Sequence, residues 1–424
     1  MNGNPIPCFE ARLKDVWRRS DEILALIPDD AWHERPIGLR HPFLFYMGHL
    51  PAFAWNQVCR GALGAGHLVE RLDLVYARGI DPDDTDIAVQ QSIKAWPSLE
   101  ETIAYRDEVR RVVLSRIGDV LSRTDDELCE NGRVLEIVIE HEVMHHETLL
   151  YMVAEAPPGM ICRPVSIAAP EGGLGGVAEL RRIPAGKAVI GAAWDAIPFG
   201  WDNEFGRLEM DVAAFTIDSL SVTNREWASF LEKQGKRAEL VPCSWVGGAG
   251  GFSVKTVFGP VPFEVAEGWP VQVSGEQARI YCEVSGGRLP TEAELCRAAY
   301  GAPDGATRRY PWGDAAPSAE HGNFGFRRWY STPVGFFPRG VSAFGVEELV
   351  GNGWEWTCSS FAPLPGFRPW ARTYPGYSAD FFDGAHDIVF GASWATDDVL
   401  LRPSFRNWYR RNYPYPFTSF RVVR

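Results

Sequence analysis

The sequence has no long apolar run. Nothing in its 424 residues approaches the roughly 18 consecutive apolar residues of a membrane-spanning helix, and the opening MNGNPIPCFEARLKDVW lacks a secretory leader's apolar stretch. A cytoplasmic protein with no membrane partner is expected. Positive charge is also short: 42 Lys and Arg face 55 Asp and Glu. The resulting net charge of -13 argues against nucleic acid or an anionic membrane as partner. The eight cysteines fall at scattered spacings with no C-x-x-C, and they read as reduced, mostly buried thiols. Tandem repeats and low-complexity tracts are absent.

What is present fits a soluble globular chain, with 46% apolar and 23% charged residues. The length is too great for one ordinary core, so two domains are expected. Sixteen tryptophans beside 42 glycines and 31 prolines suggest loops held by aromatic anchors.

The two halves differ in pattern. Residues 9–27, 42–63, 99–122 and 133–155 each carry apolar side chains at helical spacing, which predicts a four-helix bundle over 1–155 with a kink or break at Pro51. Pro157 and Pro158 stop the fourth helix. Residues 156–180 contain Gly and Pro without periodicity and read as a linker. Over 181–424, short β-prone pieces alternate with Gly- and Pro-rich loops. TNREWASFLEKQG and TEAELCRAAYG are the clearest helices there, each with a Thr or Asn cap nearby. The fold class expected is α+β in two domains.

The segment HEVMHHETLLY, residues 141–151, opens with H-E-x-x-H, the pattern of a zinc-protease helix. His141 and His145 lie one helical turn apart on a stripe with Ile137, Val138, Met144, Thr148 and Met152, so both imidazoles can grip one ion. The peptidase reading lacks its third ligand. A metzincin needs Gly at 148 and His at 151, where this chain has Thr148 and Tyr151; a gluzincin needs a following helix, where the chain has a proline-glycine stretch. His49 is the better third ligand, because FLFYMGHLPAFAW buries an imidazole in an apolar helix at a cost unless it is partnered. His33, His41 and His67 sit among polar residues and read as surface groups. His146 and Glu147 point off the stripe, as surface residues or as hydrogen-bond partners of a ligand imidazole. Three neutral histidines suit Fe(II), Zn or Cu alike.

The second half narrows this choice. GRLPTEAELCRAAYG, YPWGD, GNFGF, SAFGVEELVGNGWEWT and FGASWATDDVLLRPSFRNWYRRNYPYPFTSFRVVR follow in fixed order. Together they resemble the formylglycine-generating-enzyme (sulfatase-modifying factor) fold, a C-type-lectin-like domain, with WDNEFGRLEMDVAAFTIDSLSVTNREW as its opening. A DinB-like bundle with His-x3-His-x-Glu ahead of such a domain resembles the ergothioneine-pathway non-haem iron sulfoxide synthases. The resemblance implies Fe(II) held by His49, His141 and His145, with Glu142 no peptidase base. It implies joining of sulfur to the imidazole of hercynine (Nα-trimethylhistidine) with O2, leaving a sulfoxide. Asn407 and Trp408 of the RNW motif would line the hercynine pocket, where aromatic faces suit a trimethylammonium group; plain core packing is the alternative for Trp408. A tyrosine of TYPGYSADFF, Tyr374 or Tyr377, would be the catalytic proton donor.

Departures from the family pattern bear on the donor. Relatives that use γ-glutamylcysteine carry an Asp just after RNW and an Arg four residues later, where this chain has Tyr409 and Tyr413. An uncharged aromatic wall of Tyr409, Tyr413 and Tyr415 suits a dicarboxylate poorly, although Arg410 and Arg411 stand beside it. Met144 replaces a substrate-contacting Gln and lacks its hydrogen bonds. LRHPFLFYMGHLPAFAWN looks like the ovothiol and selenoneine branches, and no methyltransferase segment of the ovothiol kind is evident. The reading reached by elimination is a selenoneine synthase that takes a selenosugar and leaves a selenoxide. A sulfoxide synthase using cysteine or γ-glutamylcysteine is the alternative. Rivals of other classes are a zinc hydrolase of the DinB or H-E-x-x-H kind and a non-enzymatic sugar-binding module. A formylglycine-generating oxidase would need a reactive cysteine pair in the last third, where only Cys358 lies beyond residue 296.

Overall fold

Among the described residues, five α-helices build the first of two units into which the chain divides, Met1–Cys162 and Arg163–Arg424. The computed structural model describes residues 5–77, 96–248, 251–370, 372, 374 and 376–424. In the first unit, α1 (Ile6–Leu24), α2 (Phe43–Ala54), α4 (Leu99–Ser122) and α5 (Arg133–Ala154) are the long helices, and α3 (Glu70–Val75) is a short insertion with no clear apolar period.

Local chemistry sets their ends. Ser98 caps α4 by accepting from Glu101 N at 3.1 Å, and Glu100 and Glu101 place negative charge at the positive end of the helix. The apolar positions of α4, Val109, Val113 and Ile117, recur every four residues and are fully buried; each contributes about 1.5–3 kcal/mol relative to exposure. At Pro51 the helix loses one backbone donor. The chain continues past Ala54 in π-helical turns over Trp55–Ala62, closed by Leu63 N donating to Val58 O at 3.1 Å. The 42–63 segment, expected to kink or break at Pro51, is two helical forms in series that change over after Ala54. The central helix is α5: from Ile137 to Val153 every residue is buried except Met144. It packs on α1 and α2, and α4 packs on the same two helices.

The second unit is a mixed structure of short elements. Its sheets are β1 (Leu180–Ile183) with β4 (Phe215–Asp218), β2 (Gly186–Ile190) with β3 (Leu208–Val212), and β5 (Trp245–Gly248), β6 (Gly251–Val254) and β7 (Val261–Pro262) in series. The largest, in order β10-β9-β8-β11, joins β8 (Trp354–Ser360), β9 (His386–Phe390), β10 (Asn407–Arg410) and β11 (Thr418–Ser419). Its strands pair antiparallel except β11 with β8.

Helices α6 (Asn224–Lys233), α8 (Gly275–Val284) and α9 (Glu292–Tyr300) each start with a capping box: Thr223 with Glu226, Ser274 with Gln277, and Thr291 with Glu294. Between α6 and α8, α7 (Phe263–Ala266) is one turn. Trp227, Trp354 and Trp356 anchor the core. Arg421, fully buried, donates to Glu355 at 2.6 Å and to the Ser219 carbonyl at 2.9 Å; removing either charge would leave the other uncompensated, at about 3–5 kcal/mol.

Part of the stretch read as a linker lies against this unit. Trp269 Nε1 donates to Glu171 O at 2.8 Å, and Gly176 N to Val334 O at 2.7 Å. No helix among the described residues is long and apolar enough to cross a membrane.

Candidate metal centre

His141 and His145 sit on α5 one turn apart, with Nε2 atoms 3.2 Å from each other. Two ligands in adjacent positions on one ion, each with a metal–nitrogen bond of about 2.0–2.1 Å, stand about 3 Å apart, so the pair already has a chelating separation. From α2, His49 brings its ring to centroid distances of 5.2 Å from His141 and 5.0 Å from His145. One ligand atom from each of the three residues lies within 4.8 Å of the others, and among the described residues no other group of His, Cys, Asp or Glu is so gathered.

Protonation and tautomer favour ligation. His49 Nδ1 is 2.7 Å from the Tyr76 carbonyl, which can only accept, so this nitrogen carries the hydrogen and Nε2 keeps its lone pair. That Nε2 is buried and has no hydrogen-bond partner, which is costly unless a ligand meets it. Burial pushes His49 down to about 4 and holds His141 and His145 well below the ordinary imidazole range. All three are neutral donors at physiological pH. Among the described residues no carboxylate joins them, so a bound divalent ion would keep its full charge and have positions left for other ligands. The donor set fits Fe(II), Zn and Cu.

Aromatic rings fix the imidazole planes. Phe53 stacks on His141 at 3.5 Å and 6°, Phe45 stacks on His49 at 4.9 Å and 22°, and Tyr46 meets His145 edge-on at 5.8 Å. Gly48, next to His49, leaves room for the Tyr76 ring; a Cβ there would come within 2.3 Å of it.

The other histidines and acids of this unit depart from expectation. His41 is fully buried and stacks on Phe45 at 3.9 Å, although its sequence neighbours are polar. His146 and Glu147 are buried too, because α5 is covered on all sides. His146 Nε2 lies 2.8 Å from Ser20 Oγ, and the same hydroxyl donates to Glu142 at 2.5 Å. Glu142 is thus held toward α1 as a structural acceptor. Met144 is half-buried, the least enclosed position in the middle of α5.

In the second unit the expected substrate residues separate into two groups. Asn407, Trp408 and Tyr409 lie on β10, paired with Val389, Ile388 and Asp387 of β9. Side chains alternate along a strand, so Trp408 and Tyr409 point to opposite faces. Trp408 lies flat on Phe361 at 4.1 Å and 7° and meets Tyr377 edge-on at 5.5 Å. Tyr377 in turn stacks on Trp201 at 4.3 Å. Tyr374 stands behind it, 5.2 Å from Tyr377 and 6.3 Å from Trp201.

The second group is Tyr409, Tyr413 and Tyr415. Tyr409 and Tyr413 are 6.1 Å apart, Tyr413 and Tyr415 5.2 Å, and Tyr413 is buried. Arg411 is committed elsewhere: it donates to Asp387 at 2.9 Å and to Gly384 O at 2.7 Å.

Sequence reasoning missed the WDNE turn that braces this region. Asp202 accepts from the Ser378 hydroxyl, next to Tyr377, and from Trp370 N at 3.3 Å. Glu204, fully buried, takes both Arg402 (2.8 and 2.5 Å) and Ser404 (2.7 Å). The signal was two acids around an Asn after an aromatic, read only as a domain opening.

Comparison with known proteins gives two family matches, the DinB superfamily over residues 12–149 and the sulfatase-modifying factor enzyme 1-like domain over residues 174–424. The hercynine oxygenase of Mycolicibacterium smegmatis is 36% identical, over 81% of this chain and 85% of that protein. The hercynine oxygenase of Mycobacterium tuberculosis is 33% identical, over 84% of this chain and 88% of that one. Ergothioneine biosynthesis protein 1 of Neurospora crassa is 30% identical over 96% of this chain, which spans 57% of that longer relative.

Proposed function

Because the chain belongs to the family of the hercynine oxygenases and ergothioneine biosynthesis proteins, we propose that it is an Fe(II)- and O2-dependent synthase that joins a chalcogen donor to the imidazole of hercynine. The observation that carries the reading is the buried set of His49, His141 and His145, three neutral nitrogens joined by no carboxylate among the described residues. The iron, when bound there, would supply the activation of O2 that an imidazole C–H and a thiol cannot achieve alone.

The balance is that of a sulfoxide synthase. One imidazole C–H and one S–H give up their hydrogens, which leave with one oxygen atom as water. A carbon–sulfur bond forms, and the second oxygen atom stays on sulfur. O2 accepts four electrons, two from bond formation and two from oxidation of sulfur.

Asn407 and Trp408 are the residues assigned to hercynine, with the indole face suited to the trimethylammonium group. Tyr377 is assigned as the proton donor in preference to Tyr374, since it is the tyrosine that touches Trp408. Met144, on the helix of two ligands, is assigned to the substrate side of the metal.

Two relatives are named for the biosynthesis of ergothioneine, a sulfur compound, so a thiol donor such as cysteine or γ-glutamylcysteine and a sulfoxide product are the first reading. A selenosugar donor, giving a selenoxide, is the second. One observation favours it: Arg411 is engaged by Asp387, and Tyr409 and Tyr413 offer no charge to a donor carboxylate.

The test is to give anaerobic, iron-loaded protein hercynine with cysteine, γ-glutamylcysteine or selenosugar in parallel, then O2, and to read products by mass. Product heavier than the two substrates together by one oxygen, less two hydrogens, supports the reading and names the donor. No hercynine-dependent O2 uptake with any donor overturns it. Full zinc occupancy with hydrolytic activity supports the DinB-type hydrolase instead.

A further inference from the structure

The third ligand is held from a distance. His49 Nδ1 donates to the carbonyl of Tyr76, the residue that ends α3. Tyr76 is itself fixed at three points. Its ring lies where a Cβ on Gly48 would stand, its hydroxyl is 2.6 Å from Thr102 Oγ1, and its carbonyl meets His49. One turn along α4 from Thr102, Tyr105 donates at 2.7 Å to Asp73 Oδ1 on α3. Asp73 Oδ2 also accepts from Leu68 N at 2.9 Å and faces His67 Nδ1 at 3.0 Å.

Asp73 is fully buried, and an unshared carboxylate in that position would be expensive, yet each of its oxygens is taken. Burial pushes both phenols up, Tyr76 to about 12, so both keep their hydrogens at any physiological pH. A helix of six residues has little stability of its own, so its place is set by what grips it.

We propose that the Asp73–Tyr105 hydrogen bond is a positioning device for the metal centre: by pinning α3 to α4 it sets the height of the Tyr76 carbonyl, and so the direction of His49 Nε2. Neither Asp73 nor Tyr105 touches the metal. They act through one backbone carbonyl, and that carbonyl fixes the tautomer and the ring orientation of the ligand. Outer hydrogen bonds of this kind alter metal affinity by about 10–100-fold when removed. Gly48 belongs to the same device, since only glycine lets the Tyr76 ring lie against α2. This inference rests on the three-histidine metal reading and adds what controls the affinity of that site.

The test measures metal binding directly. Co(II) and anaerobic Fe(II) are titrated into the wild type, Tyr105→Phe, Asp73→Asn, Gly48→Ala and His49→Ala, with Co(II) absorption bands as a signature of ligand geometry. The wild type binds one equivalent, and His49→Ala loses the three-nitrogen spectrum. Tyr105→Phe, which keeps the ring and removes one hydrogen bond, weakens metal binding about 10-fold or more and shifts the Co(II) bands, while far-ultraviolet circular dichroism is unchanged. Asp73→Asn and Gly48→Ala do the same more strongly. A Tyr105→Phe protein with a lowered Tm but wild-type affinity and Co(II) spectrum overturns the inference, because the bond would then serve stability alone. A wild type that binds neither metal overturns the metal reading itself, a different outcome.

Discussion

Ser20 on α1 donates a 2.5 Å hydrogen bond to Glu142, the acid of the H-E-x-x-H segment, and the same hydroxyl faces His146 Nε2 at 2.8 Å. The carboxylate that would activate water in a zinc peptidase is here a partner of the neighbouring helix. Glu142→Gln is therefore expected to leave metal content and hercynine-dependent turnover near the wild-type level. In a peptidase the loss of a general base costs about 10²–10⁴-fold. Elemental analysis and O2 uptake of the purified variant check this, and a collapse in rate with metal retained would make Glu142 a catalytic acid rather than a structural acceptor. Ser20→Ala, by contrast, removes a buried hydrogen bond from Glu142 and the hydroxyl facing His146, and should cost about 1–3 kcal/mol in urea unfolding.

Metal binding should stabilise the first unit, because the unfolded chain presents no gathered imidazoles. At a free metal concentration of about 100 times Kd the gain is about 2.7 kcal/mol, visible as a rise in Tm. His49→Ala should abolish most of that rise. An equal rise in wild type and variant would remove His49 from the ligand set.

The two tyrosines of the 374–377 loop should separate in kinetics. Tyr377→Phe keeps the ring that meets Trp408, removes its hydroxyl, and is expected to lower kcat by about 10²–10⁴-fold with hercynine binding little changed. Tyr374→Phe should stay near wild type. Single-turnover rates of both variants decide the assignment, and the reverse order would transfer the role to Tyr374.

Glu348 gives a pH signature of folding. Its carboxyl is buried, accepts from Phe336 N at 3.0 Å, and is pushed by burial from 4.5 to about 7. Between these values the folded chain holds a proton that the unfolded chain has released, so stability falls as pH rises from about 4.5 to 7 and then levels. The loss from this group is on the order of 3 kcal/mol. Urea unfolding at pH 5 and pH 8 should show a smaller difference in Glu348→Gln than in the wild type. Equal differences would place its titration elsewhere.

The bundle was legible because its apolar positions repeat at helical spacing: α1, α4 and α5 lie within a few residues of the expected spans, and His141 and His145 followed from i, i+4 alone. His49 was legible as an imidazole inside an apolar helix. What escaped depends on residues far apart in sequence. The polar neighbours of His41 hid its burial, and nothing near His146 announced Ser20, more than a hundred positions away. The π-helical turns after Pro51 need tertiary support, so a single proline could mark only a break. In the second unit, strands of two to five residues are too short to show a period, and β8 alone is longer. The capping boxes did carry information: Thr223 and Thr291 announced α6 and α9, and Ser274 with Gln277 announced α8 to a reader who looked for it. Tyr374 and Tyr377 could not be ranked by sequence, because Trp408, the ring that Tyr377 meets, arrives from β10, far from their loop in the chain.

The enclosure of α5 has a practical corollary for engineering. A library built on this helix meets close packing at almost every codon between Ile137 and Val153, so most members will be lost to misfolding before any catalyst is sampled. Codon 144 is the exception in that span, half-buried and next to His145. The substrate-side role proposed for Met144 makes it the codon at which selection for an altered donor is expected to find its first gains.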